Sequence, residues 1–495
     1  MWAEIYNLSR QNVHRKPFLC DILLRFNISY LGKADGMVNV ALVNPPLSKE
    51  RYKHQPYLPI GLAYLSAVLE VDGHQVTVID CPPLDIDHSK LKDKLEKLNP
   101  DIVGITAMTP TIKSALICAE KAKEACQESL VVLGGPHATF MDKELLSETS
   151  NVDIIVRGEG EQTLREIAHA LEGKLEMHKI EGITIRRGKE IYRTPDRQLI
   201  EDIDCLPYPS YKHFSLDKYR IFGRKIMPIM TSRGCPFQCS FCITSRIFGK
   251  KVRMRSPNNV VDELEWLKTE YNAEAYSFYD DTFTFNIERT EKICDEMIKR
   301  KIGLPWDCQT RADRVSRELL AKMKRAGCEV ITMGVESASS RILNLMGKGT
   351  TPEQNRKAVE MIKNMGISVV VSVIIGYPDE ELEDIKQTLD FVARLKPDDV
   401  YVCIATPYPG TRLYDMIMER GWKMSPDWSL YDTLNPVFEN PLIPKEKLVN
   451  VRKEFYNRFY SPTYILRQAM KGGFYNRILA RVALNHVFWR IRSVF

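Results

Sequence analysis

Residues 231–242 read Thr231-Ser232-Arg233-Gly234-Cys235-Pro236-Phe237-Gln238-Cys239-Ser240-Phe241-Cys242, directly behind the apolar run Ile226 to Met230. The spacing CxxxCxxC supplies three thiolates where a 4Fe-4S cluster has four irons. One iron is left without a protein ligand, free to bind a small molecule and pass it an electron. With 12 cysteines in 495 residues, this spacing arises by chance roughly 0.007 times per chain, so three unrelated core thiols are a poor account of it. A zinc site would need a fourth Cys or His close by, and no His lies between His213 and His486. Cys235, Cys239 and Cys242 are therefore the expected metal ligands. The other nine cysteines are scattered without a CxxC pair, which fits neither a second cluster nor a disulfide framework. A reducing cytoplasm suits that usage.

The apolar run ahead of the cysteines opens a series. Ile226–Thr231, Ala275–Tyr279, Pro305–Gln309, Val330–Val335, Ser368–Ile375 and Val400–Ala405 are six strand candidates, each trailed by a helical segment. A sixfold βα repeat closes most of a barrel over residues 225–420, and chemistry in such barrels gathers at the carboxyl ends of the strands. The cysteine loop follows strand one, as that rule requires. Behind later strands come Tyr279-Asp280-Asp281-Thr282-Phe283, Gln309-Thr310-Arg311-Ala312-Asp313, Gly334-Val335-Glu336-Ser337, Gly376-Tyr377-Pro378 and Thr406 to Thr411. Each alone reads equally well as a helix cap or a turn; their shared location argues for a site.

Upstream, residues 37–175 alternate short apolar strands (Val38–Val43, Gln75–Asp80, Ile102–Thr106, Leu130–Leu133, Ile154–Val156) with helices at Gly61–Val71, Ser89–Leu98 and Ile112–Ala125. That order predicts a parallel, doubly wound Rossmann-like sheet, which binds ligands at its carboxyl edge. Three strand ends suit a ligand: Thr106 to Thr111 with small hydroxyls at Thr106 and Thr109, Gly134-Gly135-Pro136-His137, and Arg157-Gly158-Glu159-Gly160-Glu161. Glycine there lets the backbone approach closely. Residues 176–224 read as a linker with a polar hairpin, Ile183–Arg187 and Glu190–Arg193. Residues 1–36 read as a poorly ordered extension ahead of the first strand.

Together these segments resemble, over about residues 37–460, the radical S-adenosylmethionine enzymes that carry an N-terminal cobalamin-binding domain. That group includes anaerobic magnesium-protoporphyrin ester cyclases, hopanoid methylases and archaeal lipid ring-forming enzymes. The resemblance implies an α/β chain: a doubly wound cobalamin-binding domain, a partial (β/α)6 radical barrel, and a small helical region at 421–495. It implies S-adenosylmethionine on the open iron. The Phe241 backbone would meet the adenine, Asp280 or Asp281 the methionine ammonium, Arg311 the carboxylate, Glu336 the ribose or the amine, and Gly376 the adenine flank. It implies cobalamin at Thr106, Thr109, Gly134, Gly135 and Gly158. The Asp-x-His-x-x-Gly motif that supplies a cobalt ligand in many cobalamin proteins is absent after the first strand, where Asn44-Pro45-Pro46-Leu47-Ser48 stands instead. His54 and His137 lack its flanking pattern, so cobalt without a histidine below it is expected.

The chemistry implied is one-electron cleavage of S-adenosylmethionine to methionine and a 5′-deoxyadenosyl radical. Methylation of an unactivated carbon of a hydrophobic substrate comes first, with oxidative cyclisation as the alternative. The electron would come from a ferredoxin or flavodoxin. Transfer-RNA methylthiolation is disfavoured, because residues 37–175 hold only Cys81, Cys118 and Cys126 at no ligand spacing. A non-enzymatic module with a structural cluster would not need the acidic and arginine residues at the strand ends.

Charge adds one clue. The net charge is +6, from 70 Lys and Arg against 64 Asp and Glu, and nucleic acid is not expected as a partner. The excess concentrates in residues 441–495, where 11 basic residues face Glu446 and Glu454. Tyr464–Met470 and Phe474–Phe495 interleave these charges with apolar residues. Such a helix could lie on an anionic membrane surface, or dock on the barrel with a solvated basic face.

Overall fold

The computed structural model describes residues 36–47, 57–188, 190–221, 223–471, 475–481 and 483–484. The expectations for the N-terminal extension, for His54 and for most of Phe474–Phe495 lie outside these residues.

The first sheet contains β1 (Asn39–Asn44), β2 (Gln75–Asp80), β3 (Ile102–Thr106), β4 (Leu130–Gly134), β5 (Ile154–Val156), β6 (Ile183–Arg187) and β7 (Glu190–Arg193), in the order β2-β1-β3-β4-β5-β6-β7. The first five strands are parallel. Strand alternation sorts their side chains onto two faces. Val40 and Leu42 pack with Leu62, Ala63, Leu164 and Ile167 of the helices Ile60–Val71 and Glu161–Leu171. Ala41 and Val43 pack with Leu91, Leu95, Ile112 and Ala115 of the helices on the other side. The doubly wound expectation is met. The hairpin expected in a linker instead continues this sheet, since β5 pairs antiparallel with β6. Buried Arg157 fixes it there, donating to the Thr184 hydroxyl and the Thr194 carbonyl. Its buried charge is met by these hairpin acceptors and by the Asp196 carboxylate at 2.9 Å.

The second sheet runs β16-β15-β14-β13-β12-β9-β8. Its strands are β8 (Arg220–Ile221), β9 (Arg224–Ile229), β12 (Ala275–Phe278), β13 (Trp306–Thr310), β14 (Cys328–Glu336), β15 (Ser368–Ile375) and β16 (Asp399–Ile404); a small ladder joins β10 (Ser232–Arg233) to β11 (Arg253–Met254). From β9 to β16 every pairing is parallel. Alternation again divides the faces. Met227, Tyr276, Phe278, Trp306, Cys308, Ile331, Met333, Val371 and Val402 enter the core beneath the helices. Their neighbours Ser277, Tyr279, Asp307, Gln309, Thr332, Gly334, Ser372, Tyr401 and Cys403 retain solvent-exposed surface on the opposite, inner side. The lumen of the partial barrel combines polar groups with the rings of Tyr279 and Tyr401.

The first sheet's helix-covered face and the barrel's outer face belong to one continuous apolar cluster. The segment between them helps to join the two units: Ser210 N–H donates to Ala63 O at 2.9 Å, and the Tyr211 hydroxyl donates to Pro228 O at 2.8 Å. In the C-terminal region, helix Pro462–Lys471 sends Arg467 to Pro397 O at 3.0 Å and Lys471 to the Asp398 carboxylate. Both basic groups are tied to the barrel, Arg467 partly buried and Lys471 still exposed to solvent. No helix among the described residues is long and apolar enough to cross a membrane.

Candidate active site

The cysteine loop leaves β9 through Thr231 and Ser232, and Asp280 holds that exit. Its carboxylate accepts from Thr231 N–H at 3.1 Å, from the Thr231 hydroxyl at 2.8 Å and from the Ser232 hydroxyl. Asp280 is fully buried, and desolvation pushes its carboxyl upward. The expectation that Asp280 meets a methionine ammonium is corrected for a physical reason. At the end of β12 it lies on the outward face, with its oxygens engaged in shaping the loop. Asp281, one residue on, points the other way. It accepts from the Thr244 hydroxyl at 2.7 Å, and its charge acts on the Cys235 thiol.

The loop is tied from three further sides. Cys235 N–H donates to Gly249 O, Ser240 N–H to Met346 O and Leu413 N–H to Ser240 O. The Ser240 and Tyr377 hydroxyls lie 2.6 Å apart. Gly234 has φ +99°, and a Cβ there would sit 2.3 Å from Lys251 O, so no other residue fits this turn. Phe241 packs on the apolar cluster of Tyr377 and Leu413. Cys235, Cys239 and Cys242 are all half-buried, with unpaired sulfurs as far as disulfides go. Three thiols on one loop are the ligand set that a cluster with one open iron needs. Burial pushes the Cys235 thiol up to about 11. Burial also raises Cys239, while the charges of Lys348 and Arg311 pull against it. The electrostatic demand of three adjacent thiolates is one that bound iron would meet.

On the inner face above the lumen, Arg311 lies flat on the Phe237 ring with its guanidinium carbon 3.6 Å from the centroid. It donates through Nε to Asp313 at 3.0 Å and through Nη2 to Lys348 O at 2.7 Å. Glu336, with φ +59°, pairs with Lys348 Nζ at 2.7 Å, both nearly buried. Gly334 makes room for that pair, because a Cβ there would meet Glu336 Oε1 at 2.2 Å and Lys348 Nζ at 2.6 Å. Lys348 was not visible as a site residue in the sequence. Gly376, at φ +76°, donates its N–H to the Glu380 carboxyl, as does Tyr377 at 3.1 Å. Asp281, Arg311, Glu336 and the three thiols thus gather at one end of the barrel.

At the carboxyl edge of the first sheet, Gly135 has φ +99°, and a Cβ there would meet Ala107 O at 2.7 Å. This close approach brings the β3 and β4 ends together. Thr106, Gly134 and Gly158 keep part of their surface open, and Gly158 N–H donates to the Thr139 hydroxyl at 3.1 Å. Thr109 is different: it is buried, and its hydroxyl contacts His137 Nδ1 at 3.1 Å. It supports His137 rather than offering its hydroxyl to a ligand. His137 is itself buried under Trp428 at 5.0 Å, and burial lowers its pKa to about 4, as befits a neutral core histidine.

The two carboxyl edges meet. Arg233, inside the cysteine loop, donates to Glu159 Oε1 at 2.9 Å and Glu161 Oε1 at 2.6 Å, beyond β5. Arg253 adds a 2.9 Å bond to the other Glu159 oxygen. At the far side Gly410, φ +84°, accepts the Phe140 ring so closely that a Cβ would lie 2.4 Å from it. The carboxyl edges of both sheets therefore open toward each other.

Comparison with known proteins agrees with this architecture. Residues 54–168 match the B12 binding domain and residues 229–392 the radical SAM superfamily. An uncharacterized methyltransferase of Pyrococcus horikoshii is 36% identical, over 86% of this chain and 93% of its own. The anaerobic magnesium-protoporphyrin IX monomethyl ester cyclase of Rubrivivax gelatinosus is 31% identical, over 81% and 73% respectively. The radical S-adenosylmethionine methyltransferase TsrM of Kitasatospora setae, solved with cobalamin and a 4Fe-4S cluster, shares the fold at TM-score 0.67 and 21% identity, over 78% of each chain.

Proposed function

Because the chain belongs to the radical S-adenosylmethionine enzymes that carry a B12-binding domain, we propose that it methylates an unactivated carbon of a small organic molecule held between its two sheets. The observation that carries this reading is the buried Arg233 contact to Glu159 and Glu161, which turns the two ligand-binding edges onto one shared space. When bound, the cluster supplies an electron to S-adenosylmethionine, and cobalamin supplies the methyl group.

The chain's own part is placement. Cys235, Cys239 and Cys242 would hold the cluster. Asp281 and the Arg311 guanidinium, flattened on Phe237, would receive the charged ends of the methionine moiety. The Glu336–Lys348 pair would present a carboxylate oxygen to ribose or amine donors. Phe241 and Gly376, set on the Tyr377 cluster, would border the adenine. Thr106, Gly134, Gly135 and Gly158 would let backbone approach the corrin. Arg233 and Phe140 close the sides of the shared space and exclude water from it. Aromatic walls inside the barrel support a substrate with an apolar body.

A small redox protein, ferredoxin or flavodoxin, suits the one-electron demand, and the unpaired thiols suit a reducing cytoplasm. Leu466 and Met470 leave an apolar outer face on the last long helix, which supports peripheral contact with a lipid surface. The cyclase relative favours a second reading, oxidative ring formation with the same cofactors.

The test is anaerobic reconstitution with cobalamin and S-adenosylmethionine, followed by mass spectrometry. S-adenosylhomocysteine together with 5′-deoxyadenosine supports methyl transfer, whereas 5′-deoxyadenosine alone supports ring formation. Cys239→Ala is expected to abolish both products, and retained cleavage would refute the cluster assignment.

A further inference from the structure

The barrel lumen contains a carboxylate, Asp307, that no cation among the described residues pairs with. Asp307 is on the inner face of β13, because its neighbours Trp306 and Cys308 are in the core behind the strand. One of its oxygens accepts the Ser277 hydroxyl at 2.8 Å. No Lys, Arg or His among the described residues pairs with it within 4.0 Å. Four residues further along the chain Arg311 reaches the S-adenosylmethionine end. At about 3.3 Å per residue, Asp307 lies roughly 13 Å deeper.

Around it stand three phenols. Tyr279 is on the next strand, Tyr401 comes from β16, and Tyr57 enters from the first unit with its ring 6.3 Å from that of Tyr279. Tyr57 and Tyr401 are 58% and 50% exposed. Yet burial is the main cause holding all three phenols above their ordinary value, with the Asp307 charge adding to it. Tyr57 of the first unit packs edge-on against Tyr279, beside the strand pair that sets Ser277 opposite Asp307, so these groups border the lumen together.

A carboxylate flanked by aromatic faces, with no fixed cation nearby, is suited to an organic ammonium. The rings receive its apolar body and its charge, and the carboxylate its N–H groups. We propose that Asp307, with Tyr57, Tyr279 and Tyr401, binds a protonated amine of the substrate and so sets which carbon faces the cofactors. This rests on the reading of the barrel as a substrate chamber. It narrows the substrate class to amines with an apolar or aromatic body.

The probes are benzylammonium and its neutral isostere benzyl alcohol, titrated into the full reconstituted chain at pH 7.5 and followed by ligand-observed NMR. The ammonium is expected to bind about tenfold more tightly than the alcohol. Asp307→Asn should remove that preference. Tyr401→Leu should weaken ammonium binding while the carboxylate remains. In the unmutated chain the preference should fall as pH is lowered from 7.5 to 5, since burial raises the Asp307 carboxyl to about 6 and the groups facing it are Ser277 and phenols, none of which titrates there. Equal binding of the two probes, no binding of the ammonium, or a preference that survives Asp307→Asn would overturn the proposal. Cys239→Ala separates this from the reaction assignment: it should lose S-adenosylmethionine cleavage while keeping the ammonium preference.

Discussion

Replacing Arg233 with Met tests whether the contact between the two sheets is as strong as its geometry indicates. Arg233 is 4% exposed, and its partners Glu159 and Glu161 are both 7% exposed. Burial works against the guanidinium charge, but Glu161 and Glu159 more than compensate and hold it above its usual value. Two charge-assisted bonds at 2.9 and 2.6 Å are lost in the variant. Glu159 keeps Arg253 and the Ile200 N–H, so the penalty falls mainly on Glu161, left buried with its cation gone. Removing one partner of a buried pair costs about 3–5 kcal/mol. With Glu159 still satisfied, the lower end applies, about 3–4 kcal/mol, a factor of roughly 10² to 10³ in the equilibrium between docked and separated sheets. Urea denaturation of the anaerobic protein reads the loss, and limited proteolysis within residues 196–219 reads the separation. Adding Glu161→Gln to the variant should recover part of the loss, because the orphaned charge is then gone. A loss below about 1 kcal/mol, or a double variant whose losses simply add, would refute the buried-clamp reasoning.

Three further outcomes are expected. Gly135→Ala should lower stability and weaken cobalamin binding, measured by corrin absorbance after desalting, because its Cβ would meet Ala107 O at 2.7 Å with φ at +99°; a backbone shift of that kind costs about 1–3 kcal/mol. Glu380→Gln should flatten the pH dependence of stability. Burial raises the Glu380 carboxyl from its ordinary 4.5 to about 8, so the folded state holds a proton that the unfolded chain releases between those values. The contribution is full below about 4.5 and lost as pH rises through 8. Melting curves at pH 6 and 9 should therefore converge in the variant. Cys239→Ala should remove the broad visible absorbance of the reconstituted cluster together with S-adenosylmethionine cleavage.

The cysteine triplet and the strand–helix alternation could be read from the chain because both are local: ligand spacing and side-chain period act within a few residues. Gln75–Asp80, Ile102–Thr106 and Ser368–Ile375 have in the structure the bounds their apolar runs predict, for that reason. Asp280 and Asp281 part by strand alternation: Asp280 continues the outward series of Tyr276 and Phe278 and turns to Thr231 and Ser232, an assignment that needs the faces of the sheet to be known. Lys348 carries no motif. It reaches Glu336 only because Gly334 leaves room and the intervening helix folds back.

Asp307 reads as an ordinary strand residue until three tyrosines from separate segments gather around it. Ligand spacing and side-chain period are enough to show that this chain can hold an iron–sulfur cluster beside a doubly wound sheet. That the carboxyl edges of the two units face each other is a property of the fold, because it depends on Arg233 meeting carboxylates 72 and 74 residues away, a pairing that spacing along the chain cannot encode.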